Sequence, residues 1–309
     1  MIIKKILDIV DKRWDYYYLK KQLYKNKKRK VNNIIVGSSY GIFGLTSVPN
    51  SVNFSLPSQD FYYAIQLAKK AMEENIKLEN IYLCFGYYSA YCDVSKSKEQ
   101  GRIDDVYYPL LHDEHNKKMV TDKYCCKKIF IIYFKKIVSV IIDVILQLYF
   151  LFKSDYFDNK IHTRERRKLI MWEDVTKSWG QLSEAERKLA GSRRASAHEK
   201  QMKYADSMNE NMLCLKKLYE ICQEKNIYLY FLNFPFSKEY LEGMSKLYKE
   251  KACNVQEQIK RYCDNYIDFN TLFQFEQEDF VDCDHLSDIG AKKISQILKE
   301  GQCNNLAIQ

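Results

Sequence analysis

Proline and glycine are scarce in this chain, 4 and 10 in 309 residues. Collagen-like and Pro/Gly-rich low-complexity classes are thereby excluded, and each glycine marks a place where the backbone turns or is closely approached. Long apolar runs are absent too: within the most apolar segment, residues 129–152, the longest uncharged stretch is Val144–Phe152, nine residues against the roughly 20 that a membrane-crossing helix needs. The opening MIIKKILDIVDKRW meets charges too early for a secretory signal, which sets the expectation of a cytoplasmic protein. Internal repeats, a Gly-rich RNA motif and zinc-finger spacing are also missing, so attraction to nucleic acid would be nonspecific.

What is present fits an ordinary globular chain, with 46% hydrophobic and 29% charged residues. The length suits one α/β fold of about 200 to 250 residues plus extras. Ten cysteines, spread out and without paired metal spacing, read as reduced thiols. The net charge of +9 is concentrated at the start, where residues 1–30 hold eleven Lys or Arg against three Asp. With Ile2, Ile3, Ile6, Ile9 and Val10 at helical spacing, residues 1–31 read as a basic amphipathic helix.

Strands are expected at 33–36, 51–56, 80–85, 227–232 and 266–269, each a short apolar, β-branched or aromatic run. Helices alternate with them. Ser58 precedes the periodic Phe61, Ala64, Ile65, Ala68, Ala71 and Met72, predicting a serine-capped helix. Another covers 208–222, a charged helix runs from about 237 to 262, and the last runs from Ser287 to about 300. The alternation predicts an α/β fold with a parallel sheet of about five strands and helices on both faces. Ligand sites in such sheets lie at the carboxyl ends of the strands.

Residues 101–204 break the rhythm and read as a helical, partly apolar insertion between the core parts 32–100 and 205–309. Its segment 129–152 suits either a buried lid or an interfacial membrane helix, followed by a charged helical stretch in which His198 reads as solvated. Together, the basic start and Ile137–Phe152 give the expectation of peripheral attachment to an anionic inner membrane face.

Two segments at strand ends carry candidate chemistry. NIIVGSSYGIFG, residues 33–44, ends a strand in Gly37, Ser38 and Ser39, either a turn with a helix cap or a nucleophile facing the crevice. FVDCDHLSDIGAKKIS, residues 280–295, places Asp282 three residues before His285. That spacing lets a carboxylate hold an imidazole as the base for a serine, and it also suits a helix cap or a metal pair. His112 and His115 form a rival metal pair that no carboxylate or cysteine set completes, so no metal and no cofactor is expected. NFPFS, residues 233–237, places Asn233, Pro235 and Ser237 at the same crevice edge, as a substrate loop or a plain strand-to-helix turn.

In combination these motifs resemble the SGNH or GDSL-type serine hydrolases and acyltransferases, over about 32–100 and 205–300. Gly37-Ser38-Ser39 stands where that family has Gly-Asp-Ser, and Asp282-Cys-Asp-His285-Leu matches its terminal Asp-x-x-His-Leu signature. The resemblance implies a five-stranded flavodoxin-like sheet and a triad of Ser39, His285 and Asp282. It also implies oxyanion donors at Ser58, in place of a glycine, and in the Gly86-Tyr87-Tyr88-Ser89 block, where Tyr88 replaces an asparagine. The expected function is an esterase or O-acyltransferase acting on an acyl ester of a carbohydrate or cell-envelope polymer. The rival expectation is a catalytically impaired member that binds glycan or partners at the membrane surface.

Overall fold

Short β-branched and aromatic runs build the sheet. The strands are β1 (Asn33–Gly37), β2 (Ser51–Asn53), β3 (Asn80–Phe85), β4 (Tyr228–Asn233) and β5 (Asn265–Asp268), all parallel in the order β2-β1-β3-β4-β5. This computed structural model describes residues 2–117, Ile141 and 179–299, with side chains from residue 15 onward. The chain is thus an α/β protein with the flavodoxin-like strand order, which reverses direction at β1. Ile34, Ile35 and Val36 are buried on a strand paired on both sides, which is why the run is continuously apolar.

The labelled helices are α1 (Ile2–Lys28), α2 (Ser39–Gly44), α3 (Phe61–Glu74), α4 (Glu184–Gln201), α5 (Ala205–Lys225), α6 (Lys238–Glu242), α7 (Lys246–Ile259) and α8 (Asp288–Lys299). Contacts join α1 to α3, α3 to α5, and α2 to α8. From Tyr17 onward α1 belongs to the core: Tyr17, Tyr18, Leu19 and Leu23 are buried, and Tyr18 donates to the Asn53 carbonyl at 2.6 Å. Asn26 donates to the Ala71 carbonyl and accepts from Asn75, tying α1 to α3.

Three expectations are corrected. The second strand stops at Asn53, because the Asn53 side chain turns back to accept the Ser55 amide. Ser58 does not cap α3; Asp60 does, accepting the Tyr63 amide at 2.9 Å, while Ser58 takes a left-handed φ of 58°. The charged helix expected from 237 to 262 is two helices, capped by Ser237 and Ser245. The break serves packing. A Cβ on Gly243 would lie 2.7 Å from Ser192 Cα, and one on Gly191 2.6 Å from the Glu239 carbonyl carbon, so α4 and α6 meet almost backbone to backbone.

Among the described residues, no helix is long and apolar enough to cross a membrane. The apolar stretch 129–152, apart from Ile141, and the charged residues 153–178 lie outside the described residues.

Candidate active site

Gly37 ends β1 at φ +152°, where a Cβ would stand 2.2 Å from the Cys84 carbonyl oxygen of β3. Only glycine fits that approach, and it lets the chain turn sharply into α2, whose first residue is Ser39. Ser39 therefore sits at the carboxyl edge of β1, beside the point where the strand order reverses.

The other half comes from the turn before α8. Phe280 and Leu286 form an antiparallel bridge, and the Val281 amide donates to the His285 carbonyl at 2.9 Å. Inside that loop, Asp282 Oδ1 accepts the amides of Asp284 and His285 at 2.9 and 2.8 Å. The same carboxylate lies 3.0 and 2.9 Å from His285 Nδ1. His285 Nε2 is 2.9 Å from Ser39 Oγ. With Asp282 accepting at Nδ1, the ring proton sits there and Nε2 accepts from the serine hydroxyl. Tyr40 stacks on the imidazole at 5.6 Å and Phe43 meets it edge-on at 5.7 Å, so ring orientation is fixed by packing as well. Asp282 and His285 are buried and Ser39 is half-buried.

A second carboxylate flanks the imidazole. Asp284 Oδ1 lies 3.5 Å from His285 Nδ1. Arg194 Nε donates to both Asp284 oxygens at 3.0 and 3.1 Å, and Tyr40 donates to Oδ2 at 3.2 Å. Burial would push the Asp284 carboxyl up, but Arg194 foremost, then His285 and His198, outweigh it and hold the group well below the usual carboxylate range. For His285, burial favours the neutral ring, yet Asp282 and Asp284 together prevail and raise its pKa above the ordinary imidazole value.

A cleft of about 560 Å³ opens over these groups, lined by Ser39, Ser58, Tyr88, Arg194, His198 and His285 among others. Such a volume is ordinary for a small-molecule site. His198 is not solvated as expected: it is buried, stacked on Tyr88 at 3.7 Å, with Nδ1 2.7 Å from the Tyr240 hydroxyl. Burial lowers its pKa to about 3, so at 3.8 Å from Asp284 it stands as a neutral ring and not an ion-pair partner. Asp60, in the cleft wall, is pushed up to about 6 by burial despite the amides of Tyr63 and Val94 that hydrogen-bond its carboxylate.

The remaining candidates divide. Ser58 and Tyr88 face the cleft, and the Tyr88 hydroxyl lies 3.3 Å from that of Tyr40. Among the described residues, the amides of Ser39 and Ser58 have no acceptor. Gly86 is no oxyanion donor: its amide donates to Ser89 Oγ at 3.2 Å, and its bareness admits Phe236, which a Cβ would meet at 2.8 Å. The 233–237 segment does not form a substrate loop at this cleft. Asn233 donates to Asp268 at 3.0 Å, Ser237 caps α6, and Pro235 lines a separate aromatic groove of about 360 Å³ with Phe236, Phe269 and Phe273.

Metal ligation finds little support in the geometry. His112 closes a helical turn at φ 54° with its ring against Tyr108, whereas His115 lies flat on Tyr62 at 3.5 Å with Nε2 3.0 Å from Glu210. Among the described residues, one trio of ligand-type side chains converges, Asp282, Cys283 and Asp284 within 4.8 Å. Both of its carboxylates are already engaged, by His285 and by Arg194.

Sequence reasoning missed Arg194, Asp284 and Tyr40. Asp284 was visible as the residue before His285, but nothing in the charged run around Arg194 signals a contact 90 residues away. Compared with family models, curated proteins and solved structures, the chain finds no match.

Proposed function

We propose that this chain is a serine esterase or O-acyltransferase, with Ser39 as nucleophile, His285 as general base and Asp282 as the group that orients and charges-balances it. The observation that carries this reading is the unbroken line Ser39 Oγ, His285 Nε2, His285 Nδ1, Asp282, buried at its far end and open to the cleft at the serine. A serine hydroxyl is a weak nucleophile until a positioned base takes its proton, and that line supplies the base and its partner.

In the first half-reaction, Ser39 Oγ attacks the acyl carbonyl carbon while its proton passes to His285 Nε2. Asp282 stabilises the imidazolium that forms. The amides of Ser39 and Ser58 and the Tyr88 hydroxyl are the donors available to the oxyanion, all at the cleft. Collapse breaks the ester bond, the leaving alcohol takes the proton from His285, and the acyl group remains on Ser39. In the second half-reaction, water or an acceptor hydroxyl gives its proton to His285 and attacks the acyl-serine; the acyl–Oγ bond then breaks, Ser39 Oγ takes the proton back from His285 Nε2, and acid or a new ester is released. Tyr88, Tyr204, Gln201, Lys96 and Glu99 line the cleft with aromatic and hydrogen-bonding surface, which favours a carbohydrate or cell-envelope polymer as carrier of the ester.

Turnover of nitrophenyl acetate is the direct test. Wild type is expected to release nitrophenol catalytically and Ser39→Ala to lose all but background. A folded wild type without turnover would contradict the enzymatic reading and leave the cleft as a binding site.

A further inference from the structure

Two carboxylates face one side of a single imidazole. Asp282 contacts His285 Nδ1 at 2.9 Å and Asp284 stands 3.5 Å from the same nitrogen, both buried. A base flanked by two uncompensated anions would hold its proton and could not accept one from a serine. The groups around this pair come from five places in the chain. The α2 residues Ser39 and Tyr40 offer neutral hydroxyls, as does Tyr88 after β3, while Tyr240 of α6 and Tyr248 of α7 sit behind His198. Burial pushes the tyrosine pKa values up, so none carries charge near neutrality. From α4 come His198, neutral, and Arg194. Among the described residues, Arg194 is therefore the permanent positive charge in contact with Asp284.

We propose that Arg194 is a positioning residue for the base: by pairing with Asp284 it leaves Asp282 as the carboxylate that sets the tautomer and charge of His285. This rests on the triad reading above. It also gives the middle segment of the chain a working part in the site, because α4 is what carries Arg194 to Asp284. The near-contact of α4 and α6 at Gly191 and Gly243 fixes that helix against the core, and Arg187 of α4 adds a buried ion pair to Glu239 of α6 at 2.9 Å. A guanidinium suits the task because it stays charged when buried.

The test is an NMR titration of histidine-labelled protein, which reads His285 whether or not Ser39 reacts. In Arg194→Gln the His285 pKa is expected to rise by about one unit, the usual size for loss of a nearby compensating charge. Arg194→Lys should keep most of the wild-type value. The double variant Arg194→Gln/Asp284→Asn removes the pair together and should return His285 close to wild type, which a purely structural role of Arg194 would not do. An unchanged His285 pKa in folded Arg194→Gln, or one that stays raised in the double variant, overturns the proposal. Where Arg194→Gln does not fold, the double variant alone decides. Failure of Ser39 to react would sink the triad reading while leaving this titration outcome intact.

Discussion

His285 Nε2 lies 2.9 Å from Ser39 Oγ although 246 residues separate them in the chain. The parallel sheet makes this meeting possible, since β1 delivers Ser39 at its carboxyl end and the turn before α8 closes over the same edge. Each partner is held by its own local device, Gly37 on one side and the Asp282-bonded turn on the other.

Asp282→Asn should cut turnover by about 10³ to 10⁴-fold, the loss expected when a base is left in the wrong tautomer. Steady-state kinetics on the folded variant check this. A loss under about tenfold would show that Asp282 matters chiefly to the turn, whose two amides it accepts.

On the proposal that the Tyr88 hydroxyl donates to the oxyanion, Tyr88→Phe should lower kcat by about a hundredfold with little change in KM. The stacking on His198 remains available to phenylalanine, so the melting temperature should barely move. Equal kcat in the two proteins would make Tyr88 a packing residue.

The raised His285 pKa fixes a sign. In the proposed mechanism His285 can take a proton only when neutral, so the acid limb of kcat/KM should fall above the ordinary imidazole value of about 6.5. In stability, a raised folded pKa contributes below the unfolded value and is lost as pH rises through the folded one. The stability difference between wild type and His285→Gln should therefore shrink from about pH 6.5 upward. Asp284 acts oppositely: its lowered pKa contributes above the unfolded value of about 3.9 and is lost as pH falls through the folded one. Urea midpoints measured across pH decide both.

Gly37→Ala should destabilise by about 2 kcal/mol or more, because its Cβ would overlap the Cys84 carbonyl oxygen and φ +152° is foreign to alanine. A urea midpoint unchanged from wild type would mean that β1 and β3 can part without cost.

The five strands are legible in the sequence because each is a short β-branched or aromatic run, and β3 falls on 80–85 as expected. Their alternation with helices gives the parallel sheet. Boundaries set by single side chains are less visible: Asp60 outcompetes Ser58 as a cap because its carboxylate bonds both Tyr63 and Val94 amides. Ser39, Asp282 and His285 stand out by spacing after strands and before the last helix, and the structure brings them together. Asn233, Pro235 and Ser237 mislead, since a loop at a strand's carboxyl end can turn toward a neighbouring strand, as Asn233 does toward Asp268. Arg194 and His198 are hidden because their place depends on how α4 docks on α6, a packing event that no local pattern encodes.

The most direct measurement is covalent. A fluorophosphonate should label the wild-type chain once, and peptide mass analysis should place the adduct on Ser39. Ser39→Ala should not label, whereas Ser38→Ala should, because the Ser38 hydroxyl is buried without a hydrogen-bond partner among the described residues and lacks the 2.9 Å contact to His285 that Ser39 makes. Labelling that survives Ser39→Ala, or a folded wild type that never labels, would contradict the account.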